Sequence, residues 1–281
     1  MLPEVRFPTV RQFNIRRVEE GASLRALDII VAEEPLEIRV QHWFKDTVVT
    51  EPFAITMRTP GSESELAAGL LLTEGVIYRH EDIVSLRLLG SESSNEILVE
   101  VSKEVDFESW RMARNGIMSS SCGICGKRSS EAIIQQLPAR IEDRLTVPSS
   151  LIERLPNLLE AEQAAFAQTG ALHAAALVRS SGEIEAVFED IGRHNALDKL
   201  IGWCVLNDRV PLNDRMLFLS SRSSFELVQK AAMAGAPILA TIGGSSSLAI
   251  KTAREIGLTL VGFIRTGRFN IYSGEWRIHS E

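Results

Sequence analysis

The chain has 281 residues, 45% hydrophobic and 24% charged, which are ordinary values for a globular protein. Its formal net charge is −7, so the composition lacks the positive excess that general nucleic-acid binding requires. Three cysteines are too few for a disulfide framework, and the N-terminus lacks the charged-then-apolar order of a secretory signal. This cysteine usage predicts a reducing cytoplasm. The longest apolar runs are far too short to span a bilayer, so we expect no membrane partner.

Residues 10–58 have the pattern of β-strands. Leu36, Ile38 and Val40 alternate with polar residues, which is the period of a half-buried strand. Residues 53–58 form a further strand that ends at a Thr-Pro-Gly turn.

A helix is predicted next. Ser62 and Glu65 have the spacing of a capping box, and Gly75 ends the helix. The polar string 58–65 around its start could touch a ligand. Residues 83–89 and 97–101 then predict an antiparallel pair of strands.

The boundary between two halves is predicted at 138–148. Ser150 and Glu153 form a second capping-box pattern, which predicts one long helix to about Gln168. After Gly170, strands and helices alternate, and this order implies a largely parallel sheet with helices packed on it. The predicted strands are 172–178, 184–188, 216–220, 238–241 and 258–264, and the predicted helices are 194–206, 225–233 and 246–256.

The fold class predicted from these elements is α/β, or α+β overall. A β-rich N-terminal domain would comprise residues 1–138, and an α/β domain with a mixed, largely parallel sheet flanked by helices would comprise residues 139–281.

Two of the cysteines, Cys122 and Cys125, lie in a Ser/Gly segment followed at once by Lys127 and Arg128. A helix is predicted after them, from 129 to 137. Because nearby cations and a helix N-terminus both favour the thiolate, this segment predicts thiol chemistry.

Several interpretations of the pair remain open. A closed all-cysteine zinc site is excluded because only Cys204 remains, and a mixed site with His173 or His194 is disfavoured, so no metal site is predicted. A redox pair, a sulfur-carrying nucleophile with a resolving neighbour, and two ordinary loop cysteines are the others.

The second half repeats one feature at each strand end. Short loops of small polar residues lead from strand to helix at 189–194, 220–224 and 241–247, and 263–268 follows the last predicted strand. Parallel strands would place all four at the carboxyl edge of the sheet, where open α/β sheets bind ligands. Their free N–H groups and arginines predict an anionic, phosphorylated ligand. The candidate residues are Arg193, His194, Ser221, Arg222, Gly243, Gly244 and the run Phe263, Ile264, Arg265, Thr266, Gly267 and Arg268.

The histidines differ in their surroundings. His194 is expected to face the ligand, whereas His173 is either a core histidine or a site residue. His42, His80 and His279 are expected at the surface. Cys204, in an apolar helix, is expected to be a buried small hydrophobic residue.

Blocks of the sequence, in the same order along nearly the whole chain, resemble the formate dehydrogenase accessory sulfurtransferases, the FdhD family. The blocks are 56–61 running into 65–75, the cysteine segment 121–126, and 169–175, 189–198, 220–225 and 263–270. The family pattern has a second glycine where this chain has Ala171.

The resemblance implies a sulfurtransferase that acts with a molybdenum cofactor. Cys122 would hold a persulfide received from a cysteine desulfurase, Cys125 would assist, and the run 263–268 would bind the cofactor. This cofactor, bis-molybdopterin guanine dinucleotide, would be sulfurated and passed to formate dehydrogenase. The resemblance also implies a C-terminal half similar to the cytidine deaminase fold and a homodimer.

Three other functions stay open beside this one. A non-enzymatic cofactor chaperone would bind the same cofactor without using the cysteines. A thiol-disulfide oxidoreductase would use the pair directly. A zinc deaminase would need a His-x-Glu motif followed later by a Pro-Cys-x-x-Cys motif. Here His173 lacks the glutamate, no proline precedes the cysteine pair, and the pair comes before both candidate histidines.

Overall fold

A computed structural model of the chain describes residues 9–90, 95–112, 137, 140–141 and 145–280. The chain begins with a two-stranded antiparallel ribbon, β1 (Val10–Glu19) and β2 (Ala22–Val31). A four-stranded sheet follows, in the order β4-β3-β6-β5. Its strands are β3 (Glu34–Phe44), β4 (Thr47–Arg58), β5 (Ile83–Leu88) and β6 (Glu96–Val101).

The inner face of this first sheet is apolar. Leu36, Ile38 and Val40 are fully buried, which confirms the predicted alternation along β3. His42 continues the same alternate positions and is only 1% exposed, so the prediction that it lies at the surface is wrong. The period-2 register that identified the core residues would also have placed His42 on their face.

The described part of the first half contains two α-helices. Helix α1 (Glu63–Thr73) is buried from Leu66 to its end, and the short helix α2 (Phe107–Met112) lies against β3. The predicted helix after Ser62 is therefore confirmed, but its capping box is wrong. Ser62 has a left-handed backbone, and among the described residues its side chain makes no capping hydrogen bond. The Glu63 carboxylate accepts the Gly61 backbone N–H at 2.8 Å, which stabilises the turn before the helix.

The second half begins with a two-residue strand, β7 (Val147–Pro148), and helices α3 (Ser149–Glu160) and α4 (Ala164–Thr169). The single helix predicted to run to Gln168 is therefore wrong. The first helix ends at Glu160, and a second begins at Ala164. The Glu189 carboxylate accepts the free backbone N–H groups of Ala165 and Phe166 at the start of the second helix.

A six-stranded sheet is the centre of the second half, in the order β13-β12-β11-β10-β8-β9. The central strands β10, β11 and β12 are parallel, and the remaining pairings are antiparallel. The sheet is therefore mixed as predicted, with its parallel part confined to the middle. Its strands are β8 (His173–Val178), β9 (Ile184–Asp190), β10 (Met216–Leu219), β11 (Ile238–Thr241), β12 (Thr259–Arg265) and β13 (Arg268–Ser273).

The prediction from sequence missed β13. This strand pairs back on β12 through the two-residue Thr266–Gly267 turn, and Gly267 has a positive φ of 75° that such turns require. A last strand, β14 (Ile278–His279), pairs with β7.

The two faces of the six-stranded sheet bury different elements. One face, with Ala175, Leu177 and Leu217, lies in a core with helices α5 (Arg193–Leu206), α6 (Phe225–Met233) and α7 (Ser247–Ile256). The other face, with Ala176 and Phe218, packs with α3. The chain therefore stacks the small sheet, helices, the large sheet and α3 in layers.

Helices α1 and α5 join the two halves of the chain at a crossing of glycines. A Cβ on Gly69 would lie 1.8 Å from the Asp198 carbonyl oxygen, and one on Gly202 would lie 1.7 Å from that of Glu65. Only glycine allows this backbone contact. The largest core cluster consequently contains residues of both predicted domains. Their predicted boundary at 138–139 lies outside the described residues, as do most of the helix predicted at 129–137 and both Cys122 and Cys125.

Among the described residues, no helix is both long and apolar enough to cross a membrane.

Candidate functional site

The strand-to-helix loops of the second half meet at one edge of the six-stranded sheet. Strand β8 runs antiparallel to both β9 and β10, so those two strands run in the same direction, and β11 and β12 run with them. All four carboxyl ends therefore lie at the same edge, which confirms the predicted placement of the loops.

A cavity of about 490 Å³ opens between three of these loops and the end of β12. That volume lies within the range of ordinary small-ligand sites. Helices α5, α6 and α7 all begin beside it, so their free N–H groups add partial positive charge. The lining residues are Arg193, Arg222, Ser223, Ser224, Gly244, Ser245, Ser246 and Phe263.

Two of the loops are fastened together along the cavity floor. The Ser223 backbone N–H donates to the Gly244 carbonyl at 3.1 Å, and the Ser246 N–H donates to the Ser223 carbonyl at 3.0 Å. The Ser223 and Ser245 hydroxyls are hydrogen-bonded at 2.6 Å. The sequence identified these serine loops but not these particular residues as site residues. The sequence signal that could have indicated them is the repeated occurrence of serines directly before predicted helices.

Ser224 has an uncommitted hydroxyl in the cavity wall. Its Oγ is buried, and among the described residues it has no hydrogen-bond partner. It precedes α6 at the N-cap position, yet its side chain does not cap that helix. A buried hydroxyl without a partner is costly, so a ligand acceptor at this position would be favourable.

Phe263 and Gly244 form an aromatic wall of the cavity. Phe263 has a positive φ of 54°, a genuine outlier for a bulky residue, and is 48% exposed. A Cβ on Gly244 would lie 2.6 Å from the Phe263 ring, so glycine lets the ring lie flat against the loop. The strained backbone therefore holds an aromatic face towards solvent, where a planar ring could stack on it.

The two cavity arginines give the site its charge. Arg193 begins α5 and Arg222 leads into α6, and no acidic residue is among the described residues that line the cavity. The glycine at 243 brings the loops together, since a Cβ there would lie 2.6 Å from Cγ of Arg222. This arrangement suits phosphate oxygens.

Other predicted site residues lie around the cavity rather than in its lining. Ile264 is fully buried in the core behind the sheet, and Arg265 donates to the Ile242 carbonyl at 2.9 Å. Ser221 donates its hydroxyl to the Arg222 carbonyl at 3.1 Å. Thr266, Gly267 and Arg268 form the exposed hairpin turn beyond Arg265.

The two histidines of this region both have a lowered pKa. Burial, with help from Lys230 and Arg193, lowers the pKa of His194 to about 4. Its Nε2 is buried and has no hydrogen-bond partner among the described residues, and its side chain is not part of the cavity lining. Burial also lowers the pKa of His173, and Arg193 and Arg222 act in the same direction. Burial is the main cause of both shifts, and the neighbouring cations add to it.

His173 lines a second cavity on the other face of the same edge. Its volume is about 530 Å³, and its wall includes Ser220, Ile242, Phe166 and Glu160. The sheet edge thus has an open cavity on each side, one beside α5–α7 and one beside α3 and α4.

Buried residues of the polar string 58–65 make hydrogen bonds within the protein. Arg58 is fully buried and donates to the Glu63 carboxylate at 3.0 Å and to the Asn95 side chain at 2.8 Å. Thr59 is also buried, and its N–H donates to the Asp190 carboxylate at 3.1 Å. The expectation of ligand contact there is therefore not supported, because the side chains that made it attractive pair with one another.

Cys204 lies within α5 and is fully buried, as predicted. Burial raises the pKa of its thiol to about 12, so it stays protonated and takes no part in thiolate chemistry.

Comparison with known proteins places the chain in a family. Residues 31–279 match the model of the FdhD/NarQ family. The chain belongs to the FdhD/NarQ family. Relatives called sulfur carrier protein FdhD include one from Streptomyces coelicolor, 43% identical over 270 residues and 93% of each chain. Another, from Saccharolobus solfataricus, is 37% identical over 270 residues, 96% of this chain and 98% of its own.

A solved structure supports the fold of this FdhD/NarQ chain. It is a crystal structure described as a candidate formate dehydrogenase accessory protein from Desulfotalea psychrophila. It superposes with a TM-score of 0.73 and covers 97% of this chain and 100% of its own, at 22% sequence identity. The mixed α/β architecture predicted from the sequence is thereby confirmed.

Proposed function

We propose that this FdhD/NarQ member is a sulfurtransferase that carries sulfur on Cys122 and delivers it to a molybdenum cofactor for formate dehydrogenase. The observation that carries the proposal is the arginine- and serine-lined cavity at the carboxyl edge of the sheet. The relatives' name, sulfur carrier protein FdhD, supports the sulfur-carrying part.

The loading step is a thiol exchange with a cysteine desulfurase as donor. The Cys122 thiolate attacks the outer sulfur of the donor's persulfide, and the S–S bond of the donor breaks. The donor cysteine leaves as a thiolate, and Cys122 becomes the persulfide, so no external oxidant or reductant is needed. Cys125, three residues along, would assist or relay.

The delivery step returns Cys122 to its thiolate. The S–S bond would break with its electron pair kept by Cys122, and the outer sulfur would pass directly, as formally zero-valent sulfur, to the bound cofactor. The cofactor in its reduced form would supply the two electrons that turn this sulfur into sulfide. The protein's task is to hold the cofactor, bis-molybdopterin guanine dinucleotide, near the persulfide.

The cavity fits a nucleotide end of such a cofactor. Arg193 and Arg222 can pair with phosphate oxygens, and the unpartnered Ser224 hydroxyl offers a further hydrogen bond. The exposed Phe263 ring offers a stacking surface for a purine base. The neighbouring candidates His194, Ser221, Gly243, Ile264, Arg265, Thr266, Gly267 and Arg268 would shape the site rather than line it.

Exposed apolar side chains support the proposal of a homodimer. The β1–β2 ribbon exposes Phe13, Val18, Leu24 and Leu27, each by more than half of its surface, and a lone two-stranded ribbon has little stability of its own. Light scattering that returned the mass of one chain would remove this part of the proposal.

The sulfur-carrying role is tested by the intact mass of the protein after incubation with a cysteine desulfurase and cysteine. The wild type should gain about one sulfur mass, and Cys122→Ala should not, because it lacks the attacking thiolate. Gain in Cys122→Ala with loss in Cys125→Ala would exchange the roles of the two cysteines. No gain in any form, with an active desulfurase present, would contradict sulfur transfer.

The cavity is tested separately with guanosine diphosphate as the probe. Arg222→Gln should weaken binding by about 10-fold or more, since it removes a charge-assisted hydrogen bond. Arg254→Gln, on the exposed end of α7, is the matched control. Equal binding by all three proteins would place the nucleotide elsewhere.

A non-catalytic cofactor chaperone is the second candidate, because Arg193, Arg222 and Ser224 alone offer contacts to a phosphorylated cofactor. It predicts that activation of formate dehydrogenase survives Cys122→Ala but fails in Arg222→Gln. A thiol-disulfide oxidoreductase is less well supported, and turnover in an insulin-reduction assay would favour it.

A further inference from the structure

A cluster of possible metal ligands lies in the first half, far along the chain from the cavity residues. It comprises His42 on β3, Glu51 on β4 and Glu108 on α2. One nitrogen or oxygen of each lies within 4.8 Å of those of the other two. Glu51 pairs with Val40 across the strands, so it stands diagonally next to His42 on the same face of the sheet.

His42 is oriented like a metal-binding histidine. His42 is 1% exposed, and its ring packs against Phe107 in a tilted arrangement with centroids 4.4 Å apart. Its Nδ1 lies 3.4 Å from the Trp43 carbonyl oxygen, which makes Nδ1 the protonated nitrogen. The lone pair is then on Nε2. Histidines that bind metals are commonly fixed by this kind of N–H to carbonyl contact.

The Nε2 atom of His42 points into the cluster without a hydrogen bond. Among the described residues, no group hydrogen-bonds to it, and Oε1 of Glu51 is 4.0 Å away, beyond hydrogen-bond reach. A buried acceptor left in this state is costly. A cation placed between Nε2 and the two carboxylates would use this lone pair.

We propose that His42, Glu51 and Glu108 bind a divalent transition-metal ion, with Zn²⁺ as the best fit. One imidazole and two carboxylates suit Zn²⁺, whose bonds to such ligands are about 2.0 to 2.2 Å long. The ligand atoms must close up by about an ångström from their present spacing, which rotation of the two glutamate side chains supplies. The Glu51 side chain is 27% exposed, so the ion has an entry path.

Binding would add a direct link between α2 and the paired strands β3 and β4. Glu108 lies on α2, the last described helix before the chain continues to Cys122. The ion would therefore fasten α2 to β3 and β4, and its role would be structural with a fourth position open to water.

The test must remove the competing thiols, because Cys122 and Cys125 could bind zinc themselves. We would use full-length Cys122→Ala/Cys125→Ala protein, stripped with a chelator and titrated with Zn²⁺ against a chromogenic indicator. It should bind one equivalent. Replacement of a ligand by its amide isostere in that background, as Glu108→Gln or Glu51→Gln, should weaken binding by at least about 10-fold, the least that removal of a ligand's supporting partner costs. His42→Gln should abolish it.

Matched controls separate the site from general surface binding. His80→Gln removes an exposed histidine, and Glu37→Gln removes a glutamate on the outer face of the same sheet. Both should bind zinc like the parent. Cobalt(II) in place of zinc should give visible d–d absorption without a sulfur charge-transfer band, and Glu108→Gln should remove it. The proposal is overturned if the parent binds no stoichiometric metal or if the controls lose binding equally. Sulfur loading on Cys122 is measured independently, so either proposal can fail without the other.

Discussion

Two polar regions of the second half begin three residues apart and have opposite character. Asp190 lies at the centre of a closed network, in which Lys199 pairs with its carboxylate at 2.7 Å and Asn195 donates to it at 3.1 Å. Arg193, on the same loop, lines the open cavity with Arg222. The network has charges of both signs and is fully buried, whereas the lining of the open cavity has cations and hydroxyls but no acidic residue among the described residues.

The difference teaches how to separate structural from functional polar residues. In the network each group is matched by another group of the same chain, including the Thr59 backbone from the first half, so nothing remains for a ligand. In the cavity the positive charge is not balanced by an acidic lining residue, and Ser224 keeps a buried hydroxyl without a partner among the described residues. Unmatched groups, rather than polar groups as such, mark the candidate site.

The largest expected effect on stability comes from removing one charged member of the buried network around Asp190. Lys199→Met should lower the free energy of unfolding by about 3 to 5 kcal/mol, because it leaves the buried Asp190 carboxylate without its counter-ion. Urea unfolding followed by circular dichroism measures this. The matched control is Lys251→Met, whose exposed pair with Glu255 at 3.9 Å should be worth about 0.5 kcal/mol or less. If Lys199→Met lowered the free energy of unfolding no more than Lys251→Met does, the buried network would not be the structural element described above.

A second test uses pH at the border of the two regions. The pKa of His194 falls from 6.5 to about 4 on folding, so the unfolded chain binds the extra proton between those values. Stability from this group is complete above pH 6.5 and is lost as pH falls to about 4, by about 3 kcal/mol in total.

The measurement is the difference in unfolding free energy between wild type and His194→Gln from pH 7 down to 4, in steps of about half a unit. The wild type should lose its advantage over that window, and the exposed His80→Gln should track the wild type. A difference that stays constant with pH would mean that His194 is not held neutral.

The smallest expected stability effect distinguishes two glycines. Gly244→Ala pushes only on the ring of Phe263, which can move, so stability should change by less than about 1 kcal/mol while guanosine diphosphate binding weakens. Gly202→Ala pushes on the Glu65 carbonyl oxygen, which cannot move alone, and should cost about 3 kcal/mol or more. Calorimetric melting and titration of the same two variants check both statements. Similar losses of stability at 202 and 244 would be the contrary result.

Much of the fold follows from local pattern. Alternation along β3 and the strand-helix order after Gly170 predicted the elements, and the run of strands implied which loop ends share an edge. The prediction failed where the end of a helix depends on a contact with a residue far away in the sequence. The helix expected to reach Gln168 breaks after Glu160, and the Glu189 carboxylate from another strand binds the new helix start. No local pattern contains that partner.

The sequence was sufficient to predict that the candidate site lies at the carboxyl edge of the large sheet, but not which side chains line it. Loop composition indicated Arg193, Arg222 and Gly244. It also indicated Ile264, whose side chain the strand period turns into the core. The polar string at 58–65 looked equally suitable for a ligand, because sequence shows a charge without showing the groups that neutralise it.

The glycine crossing of α1 and α5 has a consequence for any attempt to dissect the protein. Each helix buries the apolar face of the other, and their backbones are in contact at Gly69 and Gly202. A fragment expressed from either half would present a bare apolar helix face and the groove that received its neighbour. We therefore expect such fragments to be retained by chaperones or to aggregate, and to recover a fold only when both are produced in the same cell.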